Sequence, residues 1–353
     1  MNKLVYSALA LTLVSATGYA TENEWSSLDQ EINSLTSSLA AQNTAGPKIG
    51  GWVITSFRNS NDLIGGGGND LSGVQLDTVR VEISGDAGED YGYKISFDVA
   101  SGSAVLKDAY ATFKIGDYAT GKMGNFKTPF LRSGLVADNK LLFLERSGLG
   151  AIFAARDKGL MFNGNFDTIN WFLSGQNGND GMGNDYKFAA KVEANLMGGG
   201  VGKVEGAYGS GDDTNLTVGL AWQDDNNLDK GRAIAAEAAL STGPFSISAE
   251  LVDFDDDYTN PNPVLAQWGI VGNAVGNSTP WDATVSYMFT DMWEAAVRYQ
   301  DSDDAENTSA YTIGLNRYVK GHDIKWQAEW EHVKTDNAFG DFSVLGIGLA
   351  VSF

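Results

Sequence analysis

Leu345-Gly346-Ile347-Gly348-Leu349-Ala350-Val351-Ser352-Phe353 is the stretch on which the fold turns. Large residues hold every odd position and small ones every even position. That period of two fits a strand and no helix. A soluble sandwich strand alternates in the same way, so the pattern alone does not place the strand. A final strand finishing on an aromatic residue is, however, how outer-membrane β-barrels finish. The opposite end carries a matching signal. Met1–Ala20 reads MNKLVYSALALTLVSATGYA, with Lys3 ahead of an apolar stretch from Leu4 to Val14 and small residues at Gly18 and Ala20. This is the pattern of a secretory signal peptide cleaved after Ala20. The two ends together predict export to the cell outer membrane of a Gram-negative-type bacterium.

Working inward, Trp25, Leu28, Ile32, Leu35 and Leu39 are spaced three and four apart, an a/d seam over two heptads. The segment 21–46 is therefore expected to be a short periplasmic coiled-coil helix. It is too short and polar to stand alone; self-association in a homotrimer, or packing on the barrel's own rim or lumen, would cover the seam. From residue 47 the chain alternates in bursts of about ten residues, the length a tilted strand needs to cross a bilayer. Val79, Val81 and Ile83 oppose Arg80, Glu82 and Ser84; Trp326, Ala328 and Trp330 oppose Lys325, Gln327, Glu329 and Glu331.

Strands are predicted near 48–58, 76–86, 90–99, 104–115, 118–126, 156–165, 168–176, 185–195, 214–223, 232–241, 244–254, 280–290, 292–301, 308–318, 322–334 and 341–353. The fold class is all-β: a transmembrane antiparallel barrel of about sixteen strands over 47–353. Short turns alternate with long connections at 59–75, 127–156, 177–185, 255–279 and 301–307. The even count requires 197–214 to be an unusually long periplasmic turn; a further strand pair there or in 262–279 would make eighteen. Trp52, Tyr118, Trp171, Trp222, Trp281, Trp293, Tyr318 and Phe353 are expected in interfacial girdles. The small allotment per strand leaves no room for a long plug or an extra domain.

Composition narrows the function. Asp and Glu number 45 against 24 Lys and Arg, for a net charge of −21. A nucleic-acid partner needs the opposite balance. The absence of Cys and the presence of two His, His322 and His332, leave little for a metal centre or a nucleophilic triad. No metal, cofactor or catalytic residue is expected, and a barrel hydrolase is a minor alternative. Acidic runs such as Asp253–Asp257 lack the EF-hand pattern, with Val264 where the twelfth-position Glu would stand. They read as solvated loops.

Four short motifs resemble one family. Gly121–Phe130 (GKMGNFKTPF) is similar to the "vGqfKxPF" segment of the phosphate-selective porins O and P. Leu142–Ser147 (LFLERS) resembles its "FxERS", Arg156–Leu160 (RDKGL) its "RDxGl", and Leu106–Tyr110 (LKDAY) its "lkDAy". The resemblance implies a sixteen-stranded trimeric porin whose third outer loop folds inward as a constriction, here near 127–155. Small hydrophilic solutes and ions would diffuse through it, phosphate or other anions among them. Its partners would be outer-membrane lipids and lipopolysaccharide. The Arg-rich lining of phosphate-selective members cannot be aligned here, so a porin is implied more firmly than phosphate.

The segment Lys107–Lys158 carries nine bases and five acids inside this acidic chain. Pore and constriction candidates are Lys122, Lys127, Arg132, Lys140, Glu145, Arg146, Arg156 and Lys158. The later wall supplies Glu237, Glu250, Glu294, Arg298, Lys325 and Glu329. A basic loop facing an acidic wall would set a transverse field at the narrowest point. Alternatively Glu145–Arg146 and Arg156–Asp157 pair with neighbours and hold the loop in place. The rival from another class is a structural or adhesive barrel tethered by its coiled coil.

Overall fold

The computed structural model describes residues 46–65, 69–178, 186–225, 231–256, 258, 262–270, 276–338 and 340–353, with the side chains of 61–71 left out. The expected signal peptide 1–20 and, but for its last residue, the heptad segment 21–46 lie outside the described residues.

Sixteen antiparallel strands close into one barrel, each paired to its sequence neighbours and β1 to β16. They are β1 (Lys48–Gly65), β2 (Asn69–Asp86), β3 (Tyr91–Asp98), β4 (Val105–Ile115), β5 (Ala119–Lys127), β6 (Arg156–Phe166), β7 (Ile169–Gln176), β8 (Lys187–Met197), β9 (Thr214–Asp225), β10 (Gly231–Thr242), β11 (Phe245–Phe254), β12 (Trp281–Thr290), β13 (Trp293–Asp301), β14 (Ser309–Lys320), β15 (Ile324–Lys334) and β16 (Phe342–Ser352). Closure leaves every strand paired on both sides, which a sheet in lipid requires. The eighteen-strand alternative is not realised. The connection 198–213 lies at the same end as both termini of the barrel.

The final stretch faces as its alternation predicts. Leu345 and Ile347 are about half exposed on the outside, while Val344 and Ala350 are buried inside. Gly346 and Gly348 face inward for a specific reason. A Cβ on them would come within 2.7 and 2.3 Å of the Leu144 side chain, which packs there.

Four expectations are corrected. Residues 59–75 are not a long loop, because β1 and β2 continue as a hairpin to Gly65 and from Asn69. Trp52 is not in a girdle; it pairs across with Arg80, points inward, and lies under that guanidinium at 5.3 Å. Tyr318 is also interior, with its ring 4.0 Å from that of Tyr208. Finally, chain other than the expected inward loop L3 (128–155) enters the lumen. The periplasmic turn 198–213 and part of the sixth outer loop bond or pack inside the barrel beside L3. Period-two patterning reports which face is inward, but says nothing of what fills the inside.

The fillings are held apolar on apolar. Phe130, Leu131, Leu149 and Phe153 of L3 pack on Ala221, Ala233, Ala235, Val252 and Phe254 of β9–β11. The Phe130 and Phe153 centroids lie 4.4 Å apart. Small alanines on the wall leave the depth these rings need; each buried ring contributes on the order of 1.5–3 kcal/mol. Val264, Leu265 and Ile270, in and after the short helix α3 (Pro263–Gln267), seal against Ala310, Val333, Phe342 and Val344.

Candidate functional site: the lumen and its constriction

L3 leaves β5 at Lys127 and returns at Arg156. It carries two short helices, α1 (Arg132–Leu135) and α2 (Gly148–Ile152), and a 3₁₀ turn at Asp138–Lys140. Ser147 starts α2 by accepting from the Gly150 N–H at 3.2 Å. Irregular backbone inside a barrel must satisfy its polar groups against protein or water. The wall of β10–β15 does this pairwise. Glu237 accepts from Arg132 N at 2.7 Å, Glu250 from Ser133 N at 2.8 Å, and Glu329 from Leu144 N at 2.7 Å. In return, Arg298 donates to the Glu145 carbonyl at 3.0 Å and Asn316 to the Leu142 carbonyl at 2.9 Å, while Lys325 donates to the Leu141 carbonyl. Acids meet loop N–H groups, and two bases and an amide meet loop carbonyls. These wall residues form a socket for the loop.

The turn 198–213 reaches the same socket from the periplasmic side. Its carbonyls at Val201 and Val204 accept from Arg132 at 3.0 Å each, and Gly202 O accepts from it as well. Glu205 accepts from Leu142 N at 2.9 Å, and Glu294 accepts from Ala207 N at 2.6 Å. Arg132 is thus a buried clamp between two inserted segments, and burial lowers its pKa despite the nearby Glu250 and Glu237.

On the β2–β7 side the lumen stays open. A cleft of about 530 Å³ runs between L3 and this wall, lined by Arg80, Glu82, Lys94, Asp108, Lys122, Lys127, Asp138, Lys140 and Arg156 among polar groups. Trp52, Tyr110, Phe126, Met161 and Phe172 are among its apolar lining. A further opening of about 460 Å³ at the turn end of β4–β7 shares Phe172 with it.

The acids of the cleft are all engaged. Glu82 pairs with Lys94 at 2.7 Å, and Asp108 with Arg156 at 2.9 Å. Asp138 holds Arg146 at 2.7 Å and Arg80 at 3.2 Å. Burial pushes the Asp138 carboxyl up, but Arg146, Lys127 and Arg80 outweigh it and hold it below the usual carboxylate range. Three of its ammonium groups have no carboxylate partner among the described residues. Lys127 donates to the carbonyls of Gly134 and Val136 at 2.6 and 3.1 Å. Lys122 lies 4.5 Å from the Tyr110 ring and 5.6 Å from that of Phe126. Lys140 is exposed on its turn.

Of the sequence candidates, Lys122, Lys127, Lys140 and Arg156 are brought together in the cleft. Arg132, Glu145 and Arg146 lie within L3 but turn elsewhere. Glu145 pairs with Arg58 at 2.5 Å rather than with Arg146, and burial outweighs that guanidinium to leave its carboxyl above the ordinary value. Lys158 is exposed and in step with Leu160 and Met123 on the outward face. Glu237, Glu250, Glu294, Arg298, Lys325 and Glu329 lie together on the socket side. Asp138 and the 198–213 turn went unselected; the Gly-rich length of that turn was the available signal.

The profile of the phosphate-selective porin O and P family matches residues 53–263, more than half of the chain. Among solved structures, the fold is similar to the outer-membrane channel DcaP of Acinetobacter baumannii, with a TM-score of 0.57 at 15% identity over 88% of this chain and 98% of that one. It is similar to the anion-selective porin from Comamonas acidovorans (TM-score 0.58, 12% identity, 87% and 99% covered). The trimer form of OmpT of Vibrio cholerae gives 0.58 at 11% identity, with 87% and 99% covered. At these identities the likeness concerns the fold. Among curated protein sequences, none matches this chain.

Proposed function

We infer the conduction path from one premise: the chain belongs to the phosphate-selective porin O and P family. It is an outer-membrane β-barrel porin, a passive channel. We propose that solutes cross through the cleft between L3 and the β2–β7 wall, and that this path favours anions. The observation that carries the proposal is the charge census of the cleft: every carboxylate is paired, while Lys122, Lys127 and Lys140 have no carboxylate partner among the described residues. In a narrow, partly desolvated passage such a surplus sets ion preference. The global charge of −21 does not act there. The socket acids Glu237, Glu250 and Glu329 are spent on L3 backbone, so we read them as holding the loop rather than as the far pole of a transverse field.

The same proposal includes a non-enzymatic role, removal of residues 1–20, and assembly as a homotrimer with the 21–46 heptads as the stalk. The outward apolar rows would contact outer-membrane lipids and lipopolysaccharide. Planar-bilayer recording tests it. Ohmic steps with a reversal potential on the chloride side, reduced in Lys140→Gln, are expected. An absence of conductance would favour the tethered structural barrel.

A further inference from the structure

We propose that the cleft binds organic monocarboxylates with an apolar body in preference to inorganic phosphate, with Lys122 receiving the carboxylate. This rests on the cleft being the conduction path. A phosphate site needs several convergent N–H donors, because the anion surrenders a strong hydration shell on entry. Apart from Lys122 and the exposed Lys140 on the L3 turn, the donors that line the cleft are already committed. The guanidinium of Arg80 is held by Asp98 at 3.3 Å and Asp138 at 3.2 Å, and that of Arg156 by Asp108. Lys94 is held by Glu82, and Lys127 by two L3 carbonyls.

Lys122 is different. Its ammonium has no carboxylate partner among the described residues and sits against the rings of Tyr110 and Phe126. The residue paired directly across from it is Met161, also in the cleft wall. A single cation set in an aromatic and thioether surface offers one ion pair and an apolar bed, with low local dielectric strengthening the pair. That matches a carboxylate carried on a ring or short hydrocarbon body. The cleft volume of about 530 Å³ accommodates such a molecule. Polar and apolar walls of this kind are what small-ligand sites combine.

The test measures block of chloride current through the full-length barrel by benzoate, cyclohexanecarboxylate, acetate and inorganic phosphate. Benzoate and cyclohexanecarboxylate are expected to block at about tenfold lower concentration than acetate or phosphate, equivalent to about 1.4 kcal/mol. Lys122→Gln should abolish the block by all carboxylates, and Met161→Ser should erase the advantage of the ringed ones over acetate. Lys158→Gln, on the outward face, should leave every value unchanged, and heat-modifiable mobility reports whether each variant folds. Phosphate blocking as well as or better than benzoate overturns the inference, as does a Lys122→Gln channel still blocked by benzoate. A wild-type channel that is cation-selective or silent instead overturns the conduction path beneath it.

Discussion

Arg132→Met should free the periplasmic turn from L3 without changing which ions pass. The wild-type guanidinium donates to three backbone carbonyls, at Val201, Gly202 and Val204, and is 5% exposed. Hydrogen bonds to a charged group contribute about 1.5–3 kcal/mol each. Taking the low end, and letting water recover one of the three, the loss is about 3 kcal/mol, or about a hundredfold rise in the detached fraction of the turn. Methionine keeps most of the side-chain volume, so the change isolates the charge and its donors. The assay is hydrogen exchange of residues 199–207 in detergent-solubilised barrel, paired with single-channel recording. Protection should fall by about two orders of magnitude, and open-channel current should become larger and noisier. Lys140→Met provides the contrast: its exposed ammonium bonds no group among the described residues, so protection should hold while anion preference drops. If Arg132→Met instead shifts the reversal potential as strongly as Lys140→Met and leaves protection intact, Arg132 faces the pore and the clamp is wrong.

Gly348→Val should push Leu144 off β16, because even a Cβ would meet Leu144 at 2.3 Å and Thr55 O at 3.1 Å. Overpacking of this kind costs about 1–3 kcal/mol, and liposome swelling should then admit larger sugars than the wild type does. Burial, with Lys325 and Lys140 nearby, lowers the His322 pKa to about 4 from 6.5. A depressed pKa means its contribution is complete above about pH 6.5 and is lost as pH falls toward 4. Its ring packs edge-on to Tyr208 and Tyr318, so conductance noise should rise over that window, and His322→Phe should remove the dependence. Shortening 199–212 to a tight turn should enlarge the swelling cut-off while leaving the barrel folded; an unchanged cut-off would mean the turn does not restrict the lumen.

The barrel was legible because strand burial repeats every two residues and lipid tolerates few architectures. The strand bounds in β3 to β16 fall within a few residues of those read from alternation. The contents of the lumen were not legible. Ala233 and Ala235 stand in step with Glu237 along β10, but only the structure shows that Phe130 and Phe153 fill the depth they leave. Partner choice was equally hidden: Glu145 has Arg146 beside it in sequence, yet pairs with Arg58 from β1. Lys122, Lys127 and Lys140 carried a signal because they cluster in a basic stretch of an acidic chain. Asp138 offered none, since one acid in a loop says nothing of the two guanidinium groups it joins.

The reversal potential of the wild-type channel under a tenfold KCl gradient bears on all of this at once. A basic cleft running past a sealed acidic wall predicts a potential of the sign that chloride permeability gives, collapsing toward zero when Lys122 and Lys140 are both changed to Gln. A wild-type potential on the potassium side, as the net charge of −21 would give if the wall acids faced the path, would contradict it.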